Sequence, residues 1–275
     1  MAEKLDQVMD EADSKPIEQQ PPGVSFVRTA LVYDVLDSSN DRAAELVADR
    51  TIALPLLVRA REQTRGRGRG SNTWWSDAGS LMFTLAIDPV AKGLRRELEP
   101  RLALTMAVAV VDAIRELWLG DDEAGIRWPN DIEARGLKLG GILPEIADTA
   151  QGRRVLIGVG LNVVTDLADA PADVARMATS LERMVGGRVQ GWSLEELMWL
   201  VVGRFESELQ RLVERDPSLP NRWMELDQLN GSWVAVDQGV RTVSGWARGI
   251  DAEGALLVEE ASRVVKVFGG HVLRG

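Results

Sequence analysis

The chain has 275 residues, 45% of them hydrophobic and 27% charged, enough for one large domain or a main domain with a small one. Its formal net charge of −10 argues against duplex nucleic acid as the main partner. The absence of cysteine excludes disulfides, thiolate metal sites and cysteine nucleophiles, and the single histidine, His271, excludes a histidine metal cluster or a serine–histidine triad.

Met1 to Gly23 is polar and acidic, ends in Pro21-Pro22-Gly23, and reads as a disordered leader. It is too short for a helix-turn-helix domain. No targeting signal is visible and no apolar run approaches the length of a membrane span, so a cytoplasmic protein is expected. Thr29 to Leu36 reads as a strand, and Asp37-Ser38-Ser39-Asn40 offers N-caps for a helix over Asp41 to Arg50. Leu54 to Ala60 and Ser80 to Ile87 read as buried strands. Pro100 to Leu119 reads as a helix buried against a sheet, with Leu102, Leu104, Met106, Val108, Val111, Ile114 and Leu117 on it.

Strands are expected over Gly125 to Trp128, Leu137 to Ile146 and Arg154 to Val164. Ser193 to Arg215 reads as a second long helix, capped by Ser193 with Glu196 three positions on. From about residue 228 short strands follow at close spacing: Ser232 to Val236, Val240 to Ile250, Ala255 to Val258 and Val264 to Phe268. That pattern predicts a small appended β-barrel.

Four clusters could carry chemistry, and each has a plain structural alternative. Asp37 to Asn40 could be a helix cap and nothing more. Five arginines fall between Arg59 and Arg69, in a segment that ends Gln63-Thr64-Arg65-Gly66-Arg67-Gly68-Arg69-Gly70 and runs on to Trp74 and Trp75. Such a run could simply face water. Alternatively, its mutual repulsion is relieved by one small bound anion, gripped by guanidinium forks on a backbone that glycine lets come close. Arg127-Trp128-Pro129-Asn130-Asp131 contains a turn, and Lys138 stands just before Gly140-Gly141, where a backbone can close on a ligand. Gly158-Val159-Gly160-Leu161-Asn162 could be only a bulged strand.

In order and spacing these clusters together resemble the biotin protein ligases, over roughly residues 30 to 275. The matching series runs Ser-Ser-Asn, Gln-Thr-x-Gly-Arg-Gly-Arg, Trp, Trp-Pro-Asn-Asp, Lys-x-Gly-Gly-Ile-Leu and Gly-x-Gly-x-Asn-Val. The resemblance implies an α+β fold of the class II synthetase-like kind, in which a mixed, mainly antiparallel sheet is flanked by helices and followed by a C-terminal SH3-like β-barrel. The expected domains are a leader over 1–23, a catalytic domain over 24–227 and the barrel over 228–275.

It also implies ATP and biotin as substrates, Mg²⁺ with the ATP, and a biotin carboxyl carrier domain as partner, in a monomer or homodimer. Lys138, Arg67 and Arg69 become the catalytic cations, and Ser38, Ser39, Asn40, Gln63, Gly66, Gly68 and the three cations the biotin site. Trp74, Asn130, Asp131, Gly158 and Asn162 become the adenylate site, with no metal ligands assigned. The chain departs from the commonest family pattern at Ser39, Arg65, Ser71, Arg127 and Pro144, none of which removes a group the chemistry needs. No DNA-binding role is expected, because the leader has no room for the winged-helix domain of many relatives. The alternatives are a lipoate-type ligase of the same fold and a non-catalytic nucleic-acid-binding protein using the arginines and tryptophans.

Overall fold

A computed structural model describes residues 17–18, 25–118, 124–187, 189, 191–261 and 263–273. The main sheet runs β1 (Ile17–Glu18), β2 (Thr29–Leu36), β3 (Leu56–Gln63), β4 (Ser80–Ile87), β8 (Gly152–Asn162), β7 (Leu137–Thr149), β6 (Asp131–Ala134) and β5 (Ala124–Arg127) from edge to edge. Among the described strands only β2 and β3 pair in parallel, and helix α1 (Ser39–Leu46) makes the crossover that a parallel pair requires. Every other pair is antiparallel, so the sheet is mixed and mainly antiparallel as expected. Ile17 and Glu18 fall inside the predicted leader, yet they pair with Val32 and Leu31 on the edge of β2; the rest of that leader call lies outside the described residues.

β4 explains why the sequence reads as it does. All eight of its residues, Ser-Leu-Met-Phe-Thr-Leu-Ala-Ile, are buried, because both faces of a central strand are covered. Leu81, Phe83, Leu85 and Ile87 face the main core, in which helix α2 (Leu102–Leu117) is buried along most of its length. Helix α5 (Leu194–Glu214) packs on α2, and its N-terminus carries the capping box of Ser193 and Glu196. The proline anticipated at the start of α2 lies instead in a 3-10 turn, Arg96–Arg101, that precedes it. On the other face α1 packs against Leu31, Tyr33, Leu56 and Val58.

Three short helices were not legible: α3 (Ala172–Met177), α4 (Leu181–Val185) and α6 (Leu219–Leu226). Among the described residues, no helix is long and apolar enough to cross a membrane.

The C-terminal unit is a five-stranded antiparallel sheet in the order β12 (Arg263–Val267), β11 (Leu256–Glu260), β10 (Thr242–Ile250), β9 (Trp233–Asp237) and β13 (His271–Val272). Its apolar face, with Val236, Val243, Ala247 and Val258, is continuous with the core of the main sheet. The two units therefore share buried surface, and the Trp128 indole N–H donates to the Gly254 carbonyl across the junction at 3.0 Å.

Asp227 sits at that junction. It bridges to Ile126 in β5, accepts from the Leu229 N–H at 2.9 Å through Oδ1, and buries Oδ2 without a partner. Desolvation pushes its pKa up from 3.8 to about 6, against the opposing hydrogen bond from Leu229. The native state thus keeps a proton that the unfolded chain gives up near pH 4. Stability should fall as pH rises from about 4 to about 6 and then level off, a loss of roughly 3 kcal/mol at most. Asp227→Asn should remove this fall, so that denaturant melts of variant and wild type match at pH 4 and separate by pH 7. Parallel stability curves across that range would show that Asp227 does not titrate there.

Candidate active site

A basin of about 690 Å³ opens over β7 and β8, roofed by the arginine loop and walled on one side by His271, Val272 and Leu273 of the C-terminal unit. Its inner end is built on α1. Ser38 has extended backbone and caps α1 through Asp41 N–H, and Ser38, Ser39 and Asn40 also line the basin. The Ser39 N–H donates to Gln63 Oε1 at 2.7 Å, and Gln63 Nε2 lies 3.2 Å from the Met82 sulfur. Thr84 Oγ1 lies 2.9 Å from Ser39 Oγ and 2.5 Å from Asn40 Oδ1. Asn40 Nδ2 donates to Glu145 at 2.8 Å.

Two glycines of β8 make the floor. A Cβ on Gly158 would lie 2.3 Å from Asn40 Oδ1, and one on Gly160 would lie 2.6 Å from the Trp74 indole. These positions are bare because side chains from other elements lie flat on the strand, which corrects the bulge alternative.

The arginine loop is a tight hairpin. Gly68 N–H donates to the Asn72 carbonyl at 2.8 Å, Trp74 N–H to the Gly66 carbonyl at 2.8 Å, and Arg67 bridges to Thr73. A Cβ on Gly66 would meet the Trp74 carbonyl at 2.4 Å, so Gly66 shapes the loop and does not line the basin.

The anticipated repulsion among the arginines is relieved inside the protein. Arg59 faces Glu195, Arg61 faces Asp34, Arg65 pairs with Asp37, and Arg67 pairs with both Asp41 and Glu145. The hydrogen bond from Arg65, and then that from Thr64, holds the Asp37 carboxyl below its usual range. Arg69 differs: among the described residues it meets only neutral acceptors, the Gly270 carbonyl and Asn130 Oδ1 at 3.5 Å. Its guanidinium is the one of the five best placed to take an incoming anion.

Lys138 stands at the middle of the basin. Its Nζ donates to Asp131 Oδ1 at 2.7 Å and lies 5.7 Å from the centroid of the Trp74 ring, with the side chain 33% exposed. Asn130 Nδ2 donates to the Ile142 carbonyl and Ile142 N–H to the Asn130 carbonyl, both at 2.8 Å, so the turn before β6 is pinned to β7. Arg127 is largely buried beside Glu133 and donates to the Val272 carbonyl at 3.4 Å.

The structure brings Ser38, Ser39, Asn40, Gln63, Arg67, Gly68, Arg69, Trp74, Asn130, Asp131, Lys138 and Gly158 to one basin. Asn162 is not among its lining residues. It is buried farther along β8, beyond the end of the basin, donating to the Thr179 carbonyl at 3.0 Å, and holds the chain after α3. Thr84, Glu145 and His271 to Leu273 were missed. Thr84 and Glu145 did leave a trace, each being a polar residue set into an apolar strand. The C-terminal wall left none.

Residues 32–162 match the model of the biotin/lipoate A/B protein ligase family. The bifunctional ligase/repressor BirA of Bacillus subtilis is 32% identical over 251 residues, covering 89% of this chain and 74% of that protein. The biotin–[acetyl-CoA-carboxylase] ligase of Mycobacterium tuberculosis is 30% identical over 245 residues, covering 87% and 88%. The solved structure of the Aquifex aeolicus biotin protein ligase in complex with biotin and ATP has the same fold, with a TM-score of 0.74 over 89% of this chain and 97% of that one at 22% identity.

The bare floor makes a paired prediction. Gly160→Ala should cost about 1–3 kcal/mol, because the added methyl meets the Trp74 ring. Gly141→Ala should stay within about 0.5 kcal/mol, since its Cβ would find ordinary contacts at 3.5 and 3.6 Å. Chemical melts of the two variants check this, and equal effects would mean that Trp74 does not rest on Gly160.

Proposed function

The chain belongs to the biotin/lipoate A/B protein ligase family, and from that premise we propose that its basin joins biotin to ATP and then passes the biotinyl group to a lysine of a carboxyl carrier domain. In the first step a carboxylate oxygen of biotin attacks the α-phosphorus, and pyrophosphate leaves as the bond to the β-phosphate breaks. In the second the carrier amine attacks the acyl carbon of biotinyl-5′-AMP, and AMP leaves.

Lys138 carries the proposal. The first step brings two anions together, and a fixed cation aimed at the charge that develops between them lowers that barrier. Lys138 is such a cation, one-third exposed in the basin with its ammonium oriented by Asp131. Arg69, with neutral partners only, adds the charge of the roof, and Arg67 can exchange its carboxylate partners for phosphate oxygens. Trp74 covers the reacting groups, and Asn130, Asp131 and Gly158 flank the adenylate. Ser38, Ser39, Asn40 and Gln63 form the ring-binding end.

Mg²⁺ would enter with ATP. It takes oxygen ligands and leans on phosphates, and the basin offers Asp131, already held by Lys138, and Asp173. That donor set fits an ion carried mainly by the nucleotide.

The nucleic-acid alternative loses its basis, because four of the five arginines are matched by carboxylates of the chain itself. Between biotin and lipoate, the relatives cited above are both ligase proteins, one named for biotin and acetyl-CoA carboxylase.

Lys138→Ala should lower biotinyl-AMP formation by about 10²-fold or more while melting like wild type. The assay follows labelled ATP with biotin, with and without a carboxyl carrier domain, and near-normal synthesis by a folded variant removes Lys138 from the mechanism. Arg69→Gly should still make the adenylate but release it sooner, because a charge and a latch are lost from the roof together. Release of biotinyl-AMP without acceptor measures this, and an unchanged rate would leave Arg69 without that role.

A further inference from the structure

The outer face of the C-terminal sheet carries large apolar side chains in one row. Val234, Val236, Val243 and Val258 turn inward to the core, so the alternate residues of these strands face water. The register sets Trp233 beside Trp246, Trp246 beside Glu259 and Glu259 beside Val264. Trp233 is 62% exposed, Trp246 46% and Val264 57%. The two indoles meet edge to face with centroids 5.7 Å apart. Arg248 Nε donates to Glu259 at 2.6 Å, so the one carboxylate in the row is already matched.

That row is continuous with the basin. His271 pairs with Asp237 and Val272 with Val236, and the Leu273 N–H donates to the Ala235 carbonyl at 2.9 Å. Val236 and Val272 point inward together, so His271 and Leu273 share the outer face with Asp237, Ala235 and Trp233. His271 and Leu273 also line the basin. Trp233 stands two residues from Ala235, roughly 7 Å along the strand. The tryptophan pair therefore begins one side chain beyond the basin wall.

We infer that this outer face is where the acceptor domain docks while its lysine enters the basin, with Trp233 and Trp246 as the anchors. The inference rests on the reading of the basin as the site of biotinyl transfer. A folded acceptor cannot seat a lysine in the basin without covering its rim. A stable protein contact occupies about 800 Å² on each partner, a patch roughly 30 Å across, which is wide enough to run from the basin mouth to both tryptophans. Exposed indoles are the side chains that gain most when a partner removes them from water. The fitting partner surface is apolar and uncharged beside its lysine, because the row offers no unmatched charge. A second copy of the chain could also cover the row, but the acceptor is the partner that the chemistry already obliges to lie against this wall.

The plain alternative is that the indole pair only steadies the β9–β10 hairpin, as cross-strand aromatic pairs do. Kinetics separate the two. Biotinyl-AMP forms before any acceptor arrives, so the first step is an internal control. A purely structural pair would disturb both steps, whereas a docking pair changes only the concentration of acceptor that the second step requires.

The test uses the full chain with a biotin carboxyl carrier domain as acceptor. Trp246→Thr keeps a strand former at an exposed position. It should raise the KM for the carrier about tenfold or more, with kcat at saturating carrier and biotinyl-AMP formation without carrier both unchanged. Val264→Glu, two strands farther along the row, should raise that KM as well, and it decides the matter if Trp246→Thr fails to fold. An unchanged KM in the folded variant overturns the inference, and so does a matching loss of biotinyl-AMP formation, which marks a structural pair. Light scattering covers the second copy: a wild-type dimer that Trp246→Thr splits, with the carrier KM unchanged, makes the face a self-interface and overturns the inference. A wild type that forms no biotinyl-AMP, or never passes biotin to the carrier, overturns the reading of the basin itself, an outcome separate from a failure of docking.

Discussion

The site depends on a strand without side chains. β8 runs through the middle of the main sheet, and at Gly158 and Gly160 its backbone is the surface on which Asn40 and Trp74 lie, with no room for a methyl at either position. Everything else in the basin is placed relative to that floor. Trp74 is lowered onto it by the hairpin closed between Gly66 and Trp74, and Lys138 is then set beside the indole. Asn40 reaches it from α1, whose own start is fixed by the Ser38 cap. A sheet is stiff because its hydrogen bonds run to neighbours on both sides, so two groups laid on its backbone keep their separation better than groups carried on loops.

Electrostatics are handled by local matching. The chain is acidic as a whole, and its arginine-rich roof is neutralised by carboxylates from β2, α1 and β7, so the loop needs no ligand to be tolerable. What remains for a ligand is a difference between partners. Arg67 would trade one pair of oxygens for another, a near-balanced exchange, whereas Arg69 would gain a charge partner where it now has neutral ones. Exposed pairs of this sort contribute little to stability, which leaves the loop free to rearrange at small cost.

Much of this was legible because periodicity is a local signal. β2 and β4 begin and end where the sequence places them, and the capping box of Ser193 and Glu196 marks the start of α5. β6 was hidden because four residues after a turn are too few to show alternation, and α3, α4 and α6 because each is about two turns or less. The basin was legible where glycine and charge break an apolar run, as at Gly158 and Lys138. Asn162 shows the limit of that reasoning: alternation along β8 puts it on the face of Gly158 and Gly160, yet its amide is taken by the Thr179 carbonyl, a partner 17 residues on that no local pattern announces. The wall of His271 to Leu273 depends on how two units dock, for which no local pattern exists.

That docking has a consequence for how the protein acquires its activity. Arg69 meets Gly270 across 201 residues of chain, and Arg127 meets Val272 across 145. Contacts of such sequence separation are slow to form, since the intervening chain must be ordered before they reward it. The roof and the wall of the basin therefore depend on contacts that exist only once the two units are docked. A partly folded chain with its main sheet already in place would still lack one side of the site, and any acid or nucleotide that binds the finished basin would draw the population toward the fully folded state by mass action. Substrate supply and the yield of native protein are in this way linked through a pair of arginines holding two backbone carbonyls.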